Sequence, residues 1–438
     1  MAGRFDNIHP GLTCDHAREI IRSPVKELES QSDVYMAAAH LINCPGEETE
    51  NVLCCLLEGN NNDQPIKIAK RKAVEVLARL GCVNSIPAIA KCLWSDDQYL
   101  VENTVWALQR MKCSEPKLIA RVLELLDDPF QNQRVLIQYL AALNVQHSVE
   151  KVQQFQFSET AGVRGAAISA IAQLTNDSKI VSTLTDHLML PNQMDRQCAI
   201  QDIIDAGAVQ LLPSVIKAPV SPAFRMRACR TLIKHKDQDD LSLKDLELID
   251  FVLDDSPDLI ELVHRYDNDP SPDFLVRDLF HTDFSRCYLA LKALKSFPSA
   301  DLIFPILKRE WESEAHNDYG AHYFFIRLFG SRSDWSEVAM EYISHLLNSA
   351  IKNQRPQFQK SRAAAIYAYG QLFPNLFPCK LYEFLDPTTS PPWDCRYVFL
   401  MILDKLSHHK MQVNKDLFNH FLDDQDPCVR ARLRFCDS

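Results

Sequence analysis

The sequence predicts an all-α protein built from repeated helix pairs. Three observations carry this. First, a charged residue opens an amphipathic stretch at Arg71 ("RKAVEVLARL"), Glu102 ("ENTVWALQRM"), Arg134 ("RVLIQYLAAL"), Arg164 ("RGAAISAIAQL"), Arg196 ("RQCAIQDII") and Arg227 ("RACRTLIKH"), at spacings of 30 to 32 residues. A fixed period of that length is the mark of a repeat architecture. Second, each stretch carries apolar or small residues about one helical turn apart, the pattern of a single buried helix face. Third, no stretch shows alternating apolar and polar residues between hairpin turns, so no strand is expected.

Taken in order, each long stretch follows a shorter apolar helix such as "SIPAIAKCL" or "PKLIARVLELL", with turn residues between them, as in "DDPFQNQ" and "APVSPAF". Proline at a helix start is tolerated because that position has no intrahelical N–H partner. Two helices per repeat of this length resemble a HEAT-like α/α solenoid. The last segment, "DDQDPCVRARLRF", matches the HEAT turn at Asp424, Asp426, Pro427, Val429 and Arg430. In that repeat family Asp and Arg form ladders between neighbours, so Arg134, Arg164 and Arg196 are read as structural first. Past residue 250 the period loosens through "DDSPDLIELVHRYDNDPSPDF". Helical segments resume at "RCYLALKALKSF", "GAHYFFIRLFG", "SEVAMEYISHLLNSAI", "SRAAAIYAYGQLF" and "YVFLMILDKL". The expected organisation is an N-terminal segment (1–30), a repeat solenoid (31–253), an irregular connection (254–285) and C-terminal helical repeats (286–438).

The 438 residues are 46% hydrophobic and 24% charged, the composition of a soluble packed protein. The formal net charge is -11, which argues against a nucleic-acid partner, because phosphate binding needs a basic face. Only 11 glycines occur, without a glycine-rich loop, which argues against nucleotide-binding α/β folds. No apolar run reaches the roughly 18 residues of a membrane span. The start, "MAGRFDNIHPGL", lacks a signal-peptide layout, so a cytoplasmic protein is expected. The 14 cysteines include no C-x-x-C, and Cys54 and Cys55 are adjacent. Most are expected to be reduced and buried as small apolar residues, with Cys198, Cys229 and Cys287 on apolar stripes. No metal site is expected.

The sequence holds no G-x-S-x-G, P-loop or H-E-x-x-H. The adjacent His408 and His409 are read as surface residues. Two stretches invite chemistry. In "SDDQYLVENTVWALQRM", Val101, Thr104, Val105 and Leu108 share one helix face, while Asn103, Trp106 and Arg110 share the other. Tyr99 and Glu102 stand at the mouth of the same helix. Trp106 either packs against the next repeat or faces a flat, charged ligand; wheel geometry leaves both open. In "EAHNDYGAHYFFIRLFG", Asp318 and His322 lie one turn apart, as do Tyr319 and Tyr323. Asp318 beside Tyr319 is a candidate proton acceptor–donor pair, and a capped helix with core aromatics is the structural alternative.

The run "YLVENTVWALQ" resembles the Y-L-V-E-N-x-V-W-A-L stretch of the E/F-type phycobilin lyases. "RFDNIHPGLT", "SDVYMAAAHLINCPGEE" and "KRKAVEVLARLGC" resemble the long, single-chain CpeY/MpeY-like members that act on phycoerythrin. The resemblance is specific in the N-terminal half and general in the C-terminal half. It implies a protein of the cyanobacterial phycobilisome that binds phycoerythrobilin, a linear tetrapyrrole, as substrate, with no prosthetic group. It implies attachment of the bilin, by a thioether, to a cysteine of the phycoerythrin α apo-subunit. A partner lyase subunit is a further candidate partner. Within that frame Tyr99, Glu102, Asn103 and Trp106 carry over by motif. Asp318 and Tyr319 rest on a looser likeness, and His322 and Tyr323 accompany them. Arg110, Arg134, Arg164 and Arg227 are candidates for bidentate contact with the propionates. Glu102, Asp318 and Tyr319 are the expected catalytic residues. The alternatives are a lyase-isomerase that yields bound phycourobilin, and a non-catalytic chaperone of bilin or apo-subunit.

Overall fold

The structure is a computed structural model that describes residues 11–61, 63–233, 241–408 and 414–436. Residues 4–10 of "RFDNIHPGLT" and His409 lie outside these. All regular structure among the described residues is helical. The chain divides into two compact units, Met1–Ile180 and Val181–Ser438.

In the first unit the helices Asp33–His40, Gln64–Leu80, Gln98–Arg110, Gln133–Ala142 and Ala161–Thr175 form a row, each packed on the next. A second set of helices, Glu47–Glu58, Ile86–Lys91, Pro116–Leu125 and Val149–Gln153, pairs with its members. From Gln64–Leu80 onward each helix of the row contains one of the periodic charged residues. Asp97 shows why one starts where it does. Its carboxylate accepts the Tyr99 N–H at 3.1 Å and takes two bonds of 2.8 Å from Arg71 on the preceding long helix. The first interaction caps an otherwise orphaned N–H, and the second ties repeat to repeat.

The period also governs how these helices stop. Gly81, Lys112, Asn144, Asn176 and Gly207 all have φ between 53° and 72°. These positions are 31 or 32 residues apart. A left-handed residue just past the last turn lets backbone N–H groups close back on its carbonyls, as the Gly81 and Cys82 N–H groups do on Ala78 and Leu77. Glycine adopts this backbone without penalty; Lys112 does not.

The second unit begins in the same manner, with Gln193–Asp205, Pro222–Ile233 and Leu243–Asp254 packed in sequence. Residues 255–271 then carry no helix, and a short helix, Pro272–Asp278, precedes a second row. That row is Phe284–Lys295, Ala321–Ser331, Gln359–Leu372, Trp393–His408 and Pro427–Arg434. It meets the first part again, because Leu243–Asp254 packs on both Gln359–Leu372 and Pro427–Arg434.

Tyrosines from four successive helices of the row reach back to the acidic end of Leu243–Asp254. Tyr288 and Tyr323 donate to Asp255 at 2.8 and 2.5 Å, Tyr367 donates to Asp254, and Tyr397 donates to Asp250 at 2.7 Å. Asp255, in a left-handed conformation, also meets Arg225 at 2.6 Å, and both residues are fully buried. Arg225 in turn donates to the Ile216 carbonyl at 2.9 Å. Such bonds offset the cost of burying the pair, although the Arg225 Nε has no hydrogen-bond partner among the described residues. The row is close-packed: a Cβ added at Gly330 would lie 2.5 Å from the Ala368 Cβ.

The final HEAT turn forms as its sequence predicts. Asp426 caps Pro427–Arg434 through the Cys428 N–H at 2.9 Å, and Arg396 bonds Asp424 from the preceding helix at 2.7 and 2.9 Å. Most cysteines are free, as expected, but Cys14 and Cys44 form a disulfide, and Cys55 and Cys379 are exposed. Cys229 and Cys287 are buried as expected, whereas Cys198 is half-buried. The two bonded sulfurs and a His40 nitrogen lie within 4.8 Å of one another, a grouping that sequence spacing did not reveal. No helix among the described residues is long and apolar enough to cross a membrane.

Candidate functional site

On Gln98–Arg110 the core face is the one its spacing predicts. Val101, Thr104, Val105 and Leu108 are buried, and Trp106 is half-buried. One edge of the Trp106 ring packs against the core. Arg79 of the neighbouring long helix and Arg110 flank the ring, with guanidinium carbons 5.8 and 5.9 Å from its centroid. Tyr99, 53% exposed, carries Arg71 at 4.7 Å from its ring. Glu102 and Asn103 are half-buried, and neither side chain is hydrogen-bonded among the described residues. The two readings of Trp106 therefore merge: it is part of the core and part of a cationic, aromatic face.

Arg134 and Arg164 are turned to other work. Arg134 donates to the Gly162 carbonyl at 2.6 Å, bracing the next long helix, and Arg164 donates to the Ser158 carbonyl at 2.6 Å. Arg196 is fully buried, bonded to the Leu190 and Pro191 carbonyls and to Asp283. These placements follow the structural role of repeat arginines. Arg134 and Arg164, also expected to meet propionates, are half-buried and engaged in these backbone contacts.

The second unit holds a cavity of about 410 Å³, within the range of small-molecule sites. Its walls come from Pro222–Ile233, Leu243–Asp254, Gln359–Leu372 and the start of Trp393–His408, with Tyr323 of Ala321–Ser331 and the short turn Pro356–Phe358 completing them. Ala223, Ala363 and Ala364 keep it open, because larger side chains at these places would fill it. Arg227 lines it and bonds Gln201 on the preceding helix. Arg230 lies flat over the Trp393 ring, its guanidinium carbon 4.0 Å from the centroid, and is held from behind by Asp426 at 2.8 Å. Tyr323 is a buried wall residue anchored by Asp255.

Two titratable groups in this cavity lack a side-chain partner among the described residues. The Lys360 ammonium lies 4.9 Å from the Phe284 ring centroid and 5.2 Å from those of Tyr319 and Tyr323. Burial pushes its pKa down to about 8, against the pull of Cys287, Asp255 and Asp318. Asp394 accepts the Cys395 N–H at 3.0 Å, and burial pushes its pKa up to about 6, against that bond and the nearby Arg362 and Arg230.

The segment around Asp318 has a structural role as well. One Asp318 oxygen accepts the N–H groups of Gly320 and Ala321, each at 2.8 Å, so the carboxylate caps the following helix. Tyr319 is 60% exposed, with its ring against Lys360. His322 is a core residue, its ring 4.9 Å from Trp311 and 4.6 Å from Phe358, and burial lowers its pKa to about 4. It is therefore a neutral packing group. Of the expected site residues in this unit, Arg227 and Tyr323 line the cavity. Arg230, Lys360, Trp393 and Asp394 escaped sequence reasoning, since they belong to three helices far apart in the chain.

The chain is 49% identical over 410 residues to the bilin biosynthesis protein CpeY of Synechococcus sp. (strain WH8020), covering 93% of this chain and 98% of that protein. It is 34% identical over 416 residues to a protein of Pseudanabaena tenuis (strain PCC 7409) described as an uncharacterized phycocyanin operon protein Y, covering 92% and 95%. Among solved structures, the complex of CpcE and CpcF of phycocyanin lyase from Nostoc sp. PCC7120 is similar with a TM-score of 0.48 at 21% identity, covering 56% of this chain and 95% of that one. No family model matches the chain.

Proposed function

The chain belongs to the E/F-type phycobilin lyase family, in its CpeY-like branch, and from that premise we propose that it binds phycoerythrobilin and attaches it by a thioether to a cysteine of the phycoerythrin α subunit. The observation that carries this is the 49% identity to a bilin biosynthesis protein along 93% of the chain. The cavity of the second unit supports it on chemical grounds. A linear tetrapyrrole is flat and conjugated, with two propionates and a row of pyrrole N–H groups. Arg227 and Arg230 suit the propionates, Trp393 suits the ring plane, and Asp394 suits the N–H row. In the first unit Arg79, Trp106 and Arg110 offer the same chemistry on an open face, with Glu102 and Asn103 beside them.

The reaction adds the acceptor's S–H across the exocyclic double bond of ring A. Sulfur bonds the outer carbon, and hydrogen ends on the ring carbon. The nucleophile is the acceptor's thiol; burial pushes the protein's own Cys92 thiol up to about 11 and Cys229 up to about 12, away from the reactive thiolate. The protein's part is to position the bilin, to govern proton transfer and to shield it from wrong-face attack.

The test is co-expression with the apo-α subunit and phycoerythrobilin, read by zinc fluorescence, absorbance and mass spectrometry of the bilin-bearing peptide. A covalent, green-absorbing adduct is the expected product. A blue-shifted adduct would make the protein a lyase-isomerase. A bound but unattached bilin, with no adduct from the purified protein, would make it a chaperone and overturn the proposal.

A further inference from the structure

Most charged groups in the core of the second unit are paired. Arg225 meets Asp255, Arg230 meets Asp426, Arg396 meets Asp424 and Arg432 meets Asp404. Lys360 and Asp394 depart from this pattern, and both line the same cavity. Lys360 enters from the first turn of Gln359–Leu372, where rings from two other helical segments surround its ammonium group. Asp394 enters from the first turn of Trp393–His408, beside the stacked Trp393 and Arg230. An unpaired amine and an unpaired carboxylate facing one ligand-sized space are the components of an acid–base pair.

We propose that Asp394 and Lys360 are the general base and general acid of bilin attachment, an inference that rests on the bilin lyase function proposed above. The Asp394 carboxylate takes the proton from the acceptor thiol as sulfur bonds the outer carbon of the ring A double bond. The displaced electron pair enters the conjugated ring system, and the Lys360 ammonium delivers one proton to the ring carbon. One proton leaves the thiol and one arrives on the bilin, so the addition balances without a redox partner. Asp394 is left protonated and Lys360 neutral, and exchange with solvent restores both.

The surroundings suit these roles. Around Lys360 stand Phe284 and Cys287 on one helix, His322 and Tyr323 on Ala321–Ser331 with Asp318 and Tyr319 in the turn before it, and Asp255. Around Asp394 stand Arg230, Arg362 and the Cys395 N–H. Burial brings the two groups to about 6 and about 8, so between those pH values Asp394 is ionised and Lys360 protonated. Both are then in the working form. Below the window Asp394 gains a proton and ceases to be a base; above it Lys360 loses the proton it must give.

The experiment is single-turnover attachment of phycoerythrobilin to the apo-α subunit across pH, with spontaneous addition subtracted and noncovalent bilin affinity measured in parallel. Wild-type protein should give a bell with limbs near 6 and 8. Asp394→Asn should lose the acid limb and slow attachment about 100-fold or more, with bilin still bound. Lys360→Met should lose the alkaline limb. Lys360→Arg keeps the charge and bilin affinity but cannot release a proton near neutrality, so it should stay slow. Asp394→Glu should retain a shifted acid limb, and it decides the matter if Asp394→Asn fails to fold. Variants that attach bilin at the wild-type rate and profile, or that only weaken bilin affinity, overturn the inference. A wild-type protein that forms no adduct overturns the lyase function itself.

Discussion

The two units solve one packing problem in different ways. In the first, each long helix packs on the next, and the ties between repeats are short-range, such as Arg71 to Asp97. Its Arg79–Trp106–Arg110 cluster joins two neighbouring long helices of the row. In the second, the row returns to its beginning, and tyrosines from four helices converge on three acids at one helix end. Long-range closure brings the walls of one open cavity together, and it does so by burying charge. The first unit has a pocket too, lined by residues near its start such as Ile21, Val52 and Lys70, so the contrast lies in the second unit's convergence of distant helices on one space.

Breaking the convergence should have the largest effect. Arg225→Met leaves Asp255 charged and unpaired in the core, which should cost about 3–5 kcal/mol in chemical denaturation of the second unit. A cost below about 1 kcal/mol would mean that the convergence does not hold the unit together. Burial pushes the Asp255 carboxyl up, but Arg225 and Arg327 outweigh it and hold its pKa below the usual carboxylate value. The stabilisation is therefore complete above about pH 4, the unfolded value, and is lost as pH falls through the folded one. Asp255→Asn should remove that acid dependence.

Next in size is the close helix contact. Gly330→Ala places a methyl group against Ala368 and should cost about 2–3 kcal/mol. Repacking by Ala368→Gly in the same chain should recover much of it, which a double-mutant cycle measures. In the first unit Asp97→Ala removes a cap and the partner of Arg71 together. About 2 kcal/mol should be lost there, with the second unit's transition unmoved. A shift in both transitions would contradict independent units. Smallest is Lys112→Gly, which relieves a left-handed lysine and should raise the thermal midpoint by the equivalent of about 1 kcal/mol.

The sequence made the first unit largely legible. Its period located the long helices, and its spacing correctly set Val101, Thr104, Val105 and Leu108 inward and left Trp106 half-exposed. Periodicity reports only what a residue does within its own repeat. It therefore could not tell that Arg134 and Arg164 brace carbonyls instead of meeting solvent. The cavity was nearly invisible because its residues at 227, 230, 323, 360, 393 and 394 share no spacing. Only closure of the chain brings them together. His322 shows a further limit of spacing: its one-turn distance from Asp318 was visible, but not the aromatic rings of Trp311 and Phe358 on either side of it. Cys14 and Cys44 stand 30 residues apart, about one repeat, and that coincidence was the one available hint of their bond.

The five left-handed helix ends from Gly81 to Gly207 work as splice points. Each sets the same exit direction for the chain, so residues 82–112 form a cassette that begins and ends on equivalent geometry. Excising it joins Gly81 to Cys113 with every flanking helix still in phase. A row of this kind can lengthen or shorten by whole cassettes without redesign of its junctions.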